Sequence, residues 1–238
     1  MTARGFSLLE CLLGTALLLV LTTAALEFHV SAQKRFLRLK QIDADAQAIT
    51  AAMNSIRIDL AKTGQGLHRV SALGVVEPIV HENGVLTIHF AEKLFRPAAD
   101  LQAGQTRLSL IPKPAFAAGR SVGIVSESAG EIRTVSSVEG GDIVLSDPLE
   151  EAYPAETADI VLIERLSFYM DKDGRTLRRR VNAAAAQPLM ENTGVFRAGH
   201  DPDANLLRIE IAGLSNPEKS HVLILFPKNT ASNRRPGL

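Results

Sequence analysis

The sequence predicts an α+β protein: one long N-terminal α-helix, with a transmembrane half and an amphipathic half, packed on an antiparallel β-rich globular domain. Three observations predict it. An apolar run occupies residues 6–26, helical periodicity continues to about residue 62 with no proline before Pro78, and beyond Gly64 the apolar period becomes two. With 238 residues, 46% of them hydrophobic, the chain is long and apolar enough to bury a core rather than stay disordered. Its 26 basic and 26 acidic side chains cancel, which argues against a dedicated nucleic-acid binder. The single cysteine, Cys11, excludes an intramolecular disulfide and a cysteine-based zinc site.

The helix comes first. Residues 11–26 carry no charge, and the apolar character that begins at Phe6 is interrupted only by Glu10. As a helix, residues 6–26 span ~31 Å, about the thickness of a bilayer core. A carboxylate so early in the span costs ~2.5 kcal/mol or more in hydrocarbon, so it calls for a partner. The residues alone leave two fates for the run. It is a retained anchor, or it is a signal peptide cut near Thr23-Ala24-Ala25 that releases a periplasmic binding module or enzyme. Arg4 and the amino terminus precede the span, whereas Lys34, Arg35, Arg38 and Lys40 follow it. A positive-inside count therefore puts the C-terminal side in the cytoplasm.

From Phe36 the apolar positions are Leu39, Ile42, Ala46, Ile49, Met53, Ile56 and Leu60, in steps of three and four, which make one helix face. Lys62-Thr63-Gly64 supplies the stop: a basic last turn and a glycine able to adopt a left-handed cap. The basic cluster at 34–40 keeps the emerging helix solvated or meets anionic headgroups.

Strands follow. Residues 86–90 alternate apolar and polar, and Asn83-Gly84 before them is a hairpin turn signal. Further strands are expected at 107–111, 121–126, 131–138, 142–145, 159–170, 177–181, 206–212 and 221–226. Gly140-Gly141, Asp171-Lys172-Asp173-Gly174 and Ser215-Asn216-Pro217 provide turns between them. Residues 182–187 and 197–204 read as exposed loops.

Arg4-Gly5-Phe6-Ser7-Leu8-Leu9-Glu10, followed by the apolar run, resembles the type IV prepilin processing motif. The resemblance implies that prepilin peptidase cuts after Gly5 and N-methylates Phe6, which leaves Glu10 at the fifth mature position. It also implies a pilin-like fold with a leader at 1–5, a transmembrane half-helix at 6–28, an amphipathic half at 29–63 and a β-rich periplasmic domain at 64–238. Physically, the new amine at Phe6 can pair with Glu10 of a neighbouring subunit, so that one buried charge sets register. Ile56-Arg57-Ile58-Asp59-Leu60-Ala61-Lys62-Thr63-Gly64 looks like the helix end of larger minor pilins. Ile163-Glu164-Arg165-Leu166-Ser167-Phe168-Tyr169-Met170, with Leu177-Arg178-Arg179 beyond the turn, is similar to a strand pair of the W-type minor pilin and J-type pseudopilin group.

These resemblances imply a minor type IV pilin, a structural subunit of a pilus tip or priming complex. Its expected partners are other pilin or pseudopilin subunits, prepilin peptidase and an inner-membrane assembly platform. A minor pseudopilin of a type II secretion system is the alternative. The chain would cross the bacterial inner membrane once with its C-terminal domain in the periplasm, opposite to the orientation the flanking charges favour.

No catalytic chemistry, cofactor or metal is expected. Asp171-Lys172-Asp173-Gly174 lacks the distal glutamate of a calcium loop and reads as a hairpin turn. His81 and His89 flank the Asn83-Gly84 turn without a third ligand and read as strand surface. On a strand, Arg178 and Arg180 share one face and Arg179 takes the other, which makes a narrow patch for phosphates or DNA and reads better as a solvated edge strand. Ser215, Ser220 and His221 form no hydrolase elbow, and there is no P-loop or dinucleotide fingerprint.

Overall fold

The computed structural model describes residues 8–230, so Gly5 and Phe6 lie outside the described residues. The chain divides into two units, Met1–Ala46 and Gln47–Leu238, and the division falls inside the first helix. That helix, α1 (Leu8–Leu60), is unbroken over 53 residues because it contains no proline and glycine only at Gly14. Arg57 in its last turn complements the helix dipole. The expected stop is where the sequence puts it: Gly64 has φ +70° and its N–H donates to the His89 carbonyl at 2.9 Å. A Cβ there would also run into the Asn229 backbone carbonyl, so both the conformation and the space require glycine.

The second unit holds a short helix, α2 (His68–Ala72), and twelve strands: β1 (Ile79–Glu82), β2 (Val85–Pro97), β3 (Arg107–Ile111), β4 (Ser121–Val125), β5 (Gly130–Glu139), β6 (Asp142–Leu145), β7 (Asp159–Met170), β8 (Leu177–Val181), β9 (Gln187–Met190), β10 (Thr193–Asp201), β11 (Leu206–Gly213) and β12 (His221–Leu225). The β1–β2 turn has Asn83 at φ 50° and Gly84 at φ 75°, the two positive angles that an Asn-Gly hairpin turn needs.

Nine strands form one antiparallel sheet in the order β1-β2-β3-β6-β5-β4-β7-β8-β9, and a further β2–β7 pairing closes β2, β3, β6, β5, β4 and β7 into a six-stranded barrel. Closure depends on two long strands. β7 pairs with β4 through residues 159–163 and with β8 through residues 166–170, while β2 runs along its other edge from Leu86 to Phe95, with a bulge between Ala91 and Lys93. The sequence predicts the strands but not the closure, which depends on edges separated by about seventy residues. β10, β11 and β12 form a separate sheet.

Three apolar cores result. Phe95, Leu108, Val122, Ile124, Ile143, Tyr153 and Ile160 fill the barrel. Ile49, Ala52, Ile56 and Leu60 of α1 pack with Leu86, Ile88, Leu166 and Phe168 of the open sheet and with Leu207, Ile209 and Leu223 of the second sheet. α2 covers the outer barrel wall through Val70, with Val125, Val161 and Ile163 beneath it. Each such aliphatic residue removed from water contributes ~1.5–3 kcal/mol.

Several expectations change. The helical stripe is buried only from Ile49 onward; Phe36 and Leu39 are exposed. Residues 197–201 belong to β10, not to a loop. β1, β9 and β10 went unpredicted. β9 contains Pro188, and β10 contains Gly194 and Gly199, residues that weaken a strand signal. β8 is not an edge strand, because β9 pairs with its outer side.

Candidate assembly surface

The N-terminal unit is where sequence and geometry concentrate. Residues 8–41 of α1 are all exposed, including Leu12, Leu19 and Phe28 at 60%, 69% and 77%. An apolar surface of this extent is unfavourable in water. The helix is long and apolar enough to cross a membrane. Three of its threonines bond back to the helix. Thr15 donates to the Cys11 carbonyl at 3.1 Å, Thr22 to that of Leu18 at 2.6 Å and Thr23 to that of Leu19 at 2.7 Å, so these three hydroxyls are satisfied within the helix. Glu10 lies in the first turn, where the helix dipole favours a carboxylate. Cys11 is a free thiol on the same surface. Beyond the span, Lys34, Arg35, Arg38 and Lys40 are exposed.

Within the second unit, the end of α1 is fixed by an ion pair that sequence reading missed. Asp59, 5% exposed, accepts two hydrogen bonds from Arg179 of β8, from Nε at 2.7 Å and from the terminal guanidinium nitrogen at 3.1 Å. The carboxylate raises the Arg179 pKa further above its ordinary value. The signal was present: an aspartate between Ile56 and Leu60 on the buried stripe needs a cationic partner. Arg179 faces the helix while Arg178 and Arg180 face away, as strand alternation requires; Arg180 lies over the Tyr169 ring at 5.4 Å.

A polar belt sits where the barrel core gives way to the helix-covered core. Arg120 pairs with Glu92 and with Glu164, the latter at 3.1 Å. Burial and the nearby Glu92 raise the Glu164 pKa, whereas hydrogen bonds and charge from Arg120 help to lower that of Glu92. At the barrel end, the buried Glu131 carboxylate accepts the Glu150 N–H at 3.1 Å and pairs with Arg133, which holds the β6–β7 loop in place.

The remaining sequence candidates do not assemble. Val80 pairs with Thr87 and His81 with Leu86, so His81 and His89 point to opposite faces. The His89 ring bonds the Glu77 carbonyl at 2.8 Å, and burial lowers its pKa. Asp171 accepts N–H bonds from Arg175 and Thr176, which makes 171–174 a self-capped hairpin turn. A polar cleft of about 470 Å³ lies between β1 and the end of β10, lined by Glu77, His81, Glu82 and His200 among others. Among the described residues, no cluster of His, Cys, Asp or Glu could hold a metal ion.

No protein-family model and no curated protein matches the chain. Partial similarity exists to phage tailspikes. The tailspike gp49 from Pseudomonas phage LKA1 is 23% identical with a TM-score of 0.26, over 29% of this chain and 14% of that one. The tailspike gp54 of Acinetobacter baumannii bacteriophage AP22, solved in complex with capsular saccharide, is 15% identical with a TM-score of 0.29, over 32% of this chain and 15% of that one. The chain thus spans about one seventh of those proteins, and superposition this poor carries no conclusion about it.

Proposed function

We propose that the chain is a minor type IV pilin, a non-catalytic subunit of a pilus tip or priming complex that prepilin peptidase processes. One observation carries the reading: Glu10 is the sole charged side chain in the apolar run 6–26 and stands five residues after Gly5 in the resembling motif. Two features support it. The helix presents apolar side chains on every side over residues 8–26 with its hydroxyls internally bonded, and a β-rich unit packs on the helix's last turns. In this reading, cleavage after Gly5 frees a cationic amine at Phe6. Glu10 of a neighbour then neutralises that amine in a medium where either charge alone is costly. Helix packing supplies the assembly energy and the pair supplies register. The six-stranded barrel departs from the pilin-like fold that the resemblance implies, so the proposal rests on the N-terminus and not on the domain's fold.

The mass of the mature N-terminus tests the proposal. A chain starting at N-methylated Phe6 is expected; a chain starting after residue 24 identifies a signal peptide and overturns the reading. Glu10→Ala should be cleaved normally yet fail to enter filaments. A C-terminal reporter should be periplasmic, and a cytoplasmic reporter, as the flanking charges favour, defeats the proposal. Loss of surface pili on deletion supports the pilus assignment, whereas loss of exoprotein secretion with normal pili supports the type II pseudopilin.

A further inference from the structure

Arg180 of β8 is half-buried, yet among the described residues its guanidinium donates no hydrogen bond and pairs with no carboxylate. Its Nε is shut off from solvent without a partner. A desolvated donor without an acceptor is costly, so an orphan of this kind calls for a partner. The guanidinium lies over the Tyr169 ring at 5.4 Å, a contact that holds the head in place and leaves its N–H groups unused.

Strand register places a second such cation beside it. Leu166 and Phe168 of β7 and Leu177 of β8 belong to the helix-facing core, so Arg165, Ser167 and Tyr169 share the outer face of the sheet with Arg178 and Arg180. Ser167 stands opposite Arg180, and Arg165 is two positions along β7, a diagonal of ~7–8 Å. Among the described residues, Arg165 pairs with no carboxylate either; Glu164 beside it takes the other face and meets Arg120. Arg178 differs, since Asp171 lies 3.6 Å from it. The Thr87 and Ser167 hydroxyls share one hydrogen bond at 3.0 Å, which leaves one hydroxyl hydrogen over. The chain has an acidic residue for every basic one, yet these two neighbouring arginines have none between them. Like charges so close repel unless an anion joins them.

We propose that Arg165 and Arg180 bind one phosphate group on the outer face of the β7–β8 ribbon. Charge selects the group. A phosphate monoester carries about −1.5 to −2 at pH 7 and matches two unpaired guanidiniums, whereas a carboxylate leaves one of them uncompensated. Guanidinium forks also match phosphate oxygens two at a time. Asp171 holds Arg178, so the patch has room for a single group, which disfavours a polymer that sets phosphates in a row. Free phosphate compounds and phosphate headgroups of lipids share this chemistry. The inference rests on the sheet and is independent of how the N-terminus is processed.

The test uses the full chain in uncharged detergent, titrated with inorganic phosphate and, separately, with micelles carrying phosphatidic acid, and read by isothermal calorimetry. Saturable binding with a Kd of ~1 mM or below is expected for at least one probe, and the tighter probe tells a free phosphate compound from a headgroup. Arg165→Gln and Arg180→Gln should each weaken it by about tenfold or more. Arg178→Gln should weaken it by less than about threefold, because Asp171 already occupies that guanidinium. Neither Arg165 nor Arg180 donates a side-chain hydrogen bond to the described protein, so both variants should keep the parent's thermal midpoint in the absence of phosphate. No saturable binding of either probe, undiminished binding in Arg165→Gln or Arg180→Gln, an equal loss in Arg178→Gln, or a lowered midpoint in either of the first two variants overturns the proposal. Binding of a single-stranded oligonucleotide without binding of phosphate or phosphatidic acid would place a polymer on the patch, and would overturn it as well.

Discussion

Arg179→Met isolates the ion pair that fixes the end of α1. The substitution keeps the stem and removes the charge, leaving the Asp59 carboxylate at 5% exposure without the two hydrogen bonds of 2.7 and 3.1 Å that satisfy it. Removing one member of a buried pair costs ~3–5 kcal/mol, because the survivor remains desolvated. The Arg179 side chain is 26% exposed, so water partly screens the pair and the lower end, ~3 kcal/mol, applies. Asp59→Asn should cost less, ~1–2 kcal/mol, since the guanidinium can hydrate on its exposed side. Combining Asp59→Leu with Arg179→Met should return stability to within ~1 kcal/mol of the parent, as apolar replacements of buried pairs do. The assay is guanidinium unfolding of the full chain in detergent, comparing midpoints at constant m-value. A cost below ~1 kcal/mol for Arg179→Met, or a double variant no better than the single, would refute the reasoning.

Three further outcomes follow from named positions. Gly64→Ala should lose more than ~2 kcal/mol in the same assay, since it combines a left-handed conformation with a clash against the Asn229 carbonyl; Gly84→Ala, at φ 75° with nothing near its Cβ, should lose only ~1 kcal/mol. Ile56→Ala opens a cavity in the helix-facing core and should cost ~2–5 kcal/mol, whereas the exposed Ile58→Ala should change little. Burial lowers the pKa of His89 and of His200 below the ordinary 6.5, so their neutral rings contribute fully above pH 6.5. As pH falls from 6.5 through the folded values, the unfolded chain gains protons first and stability drops. Combined His89→Gln and His200→Gln should flatten the denaturant midpoint between pH 7.5 and 5.5.

Local signals were legible wherever they were self-contained. The period change at Gly64, the Asn83-Gly84 turn and strands such as 107–111, 159–170 and 177–181 depend on neighbours within a few residues, and the structure has them in place. What escaped depends on distant partners. The barrel closes because β2 and β7, far apart in sequence, lie edge to edge. Asp59 and Arg179 are 120 positions apart, so the three arginines at 178–180 read as a solvated edge when one of them is committed to the helix. β10 escaped for a different reason: Gly194, Gly199 and a bulge erase its alternation, and the blunting that makes it a safe edge also hides it from sequence reading. The apolar run of α1 was legible because an uninterrupted apolar stretch without proline needs no distant partner to be recognised.

Barrel closure also reduces the number of open strand edges. Joining β2 to β7 removes the edges of six strands and lets a domain with no cysteine build two of its three cores from the barrel wall. Among the described residues, the N-terminal stretch of α1 is left without cover; beyond its first turn the backbone is hydrogen-bonded within the helix, so what it lacks is apolar neighbours. In the proposed reading, packing of this stretch against other copies supplies the association and Glu10 supplies the register. Leu19→Ala should therefore weaken association without changing register, whereas Glu10→Ala should leave the chain in the membrane and abolish ordered assembly.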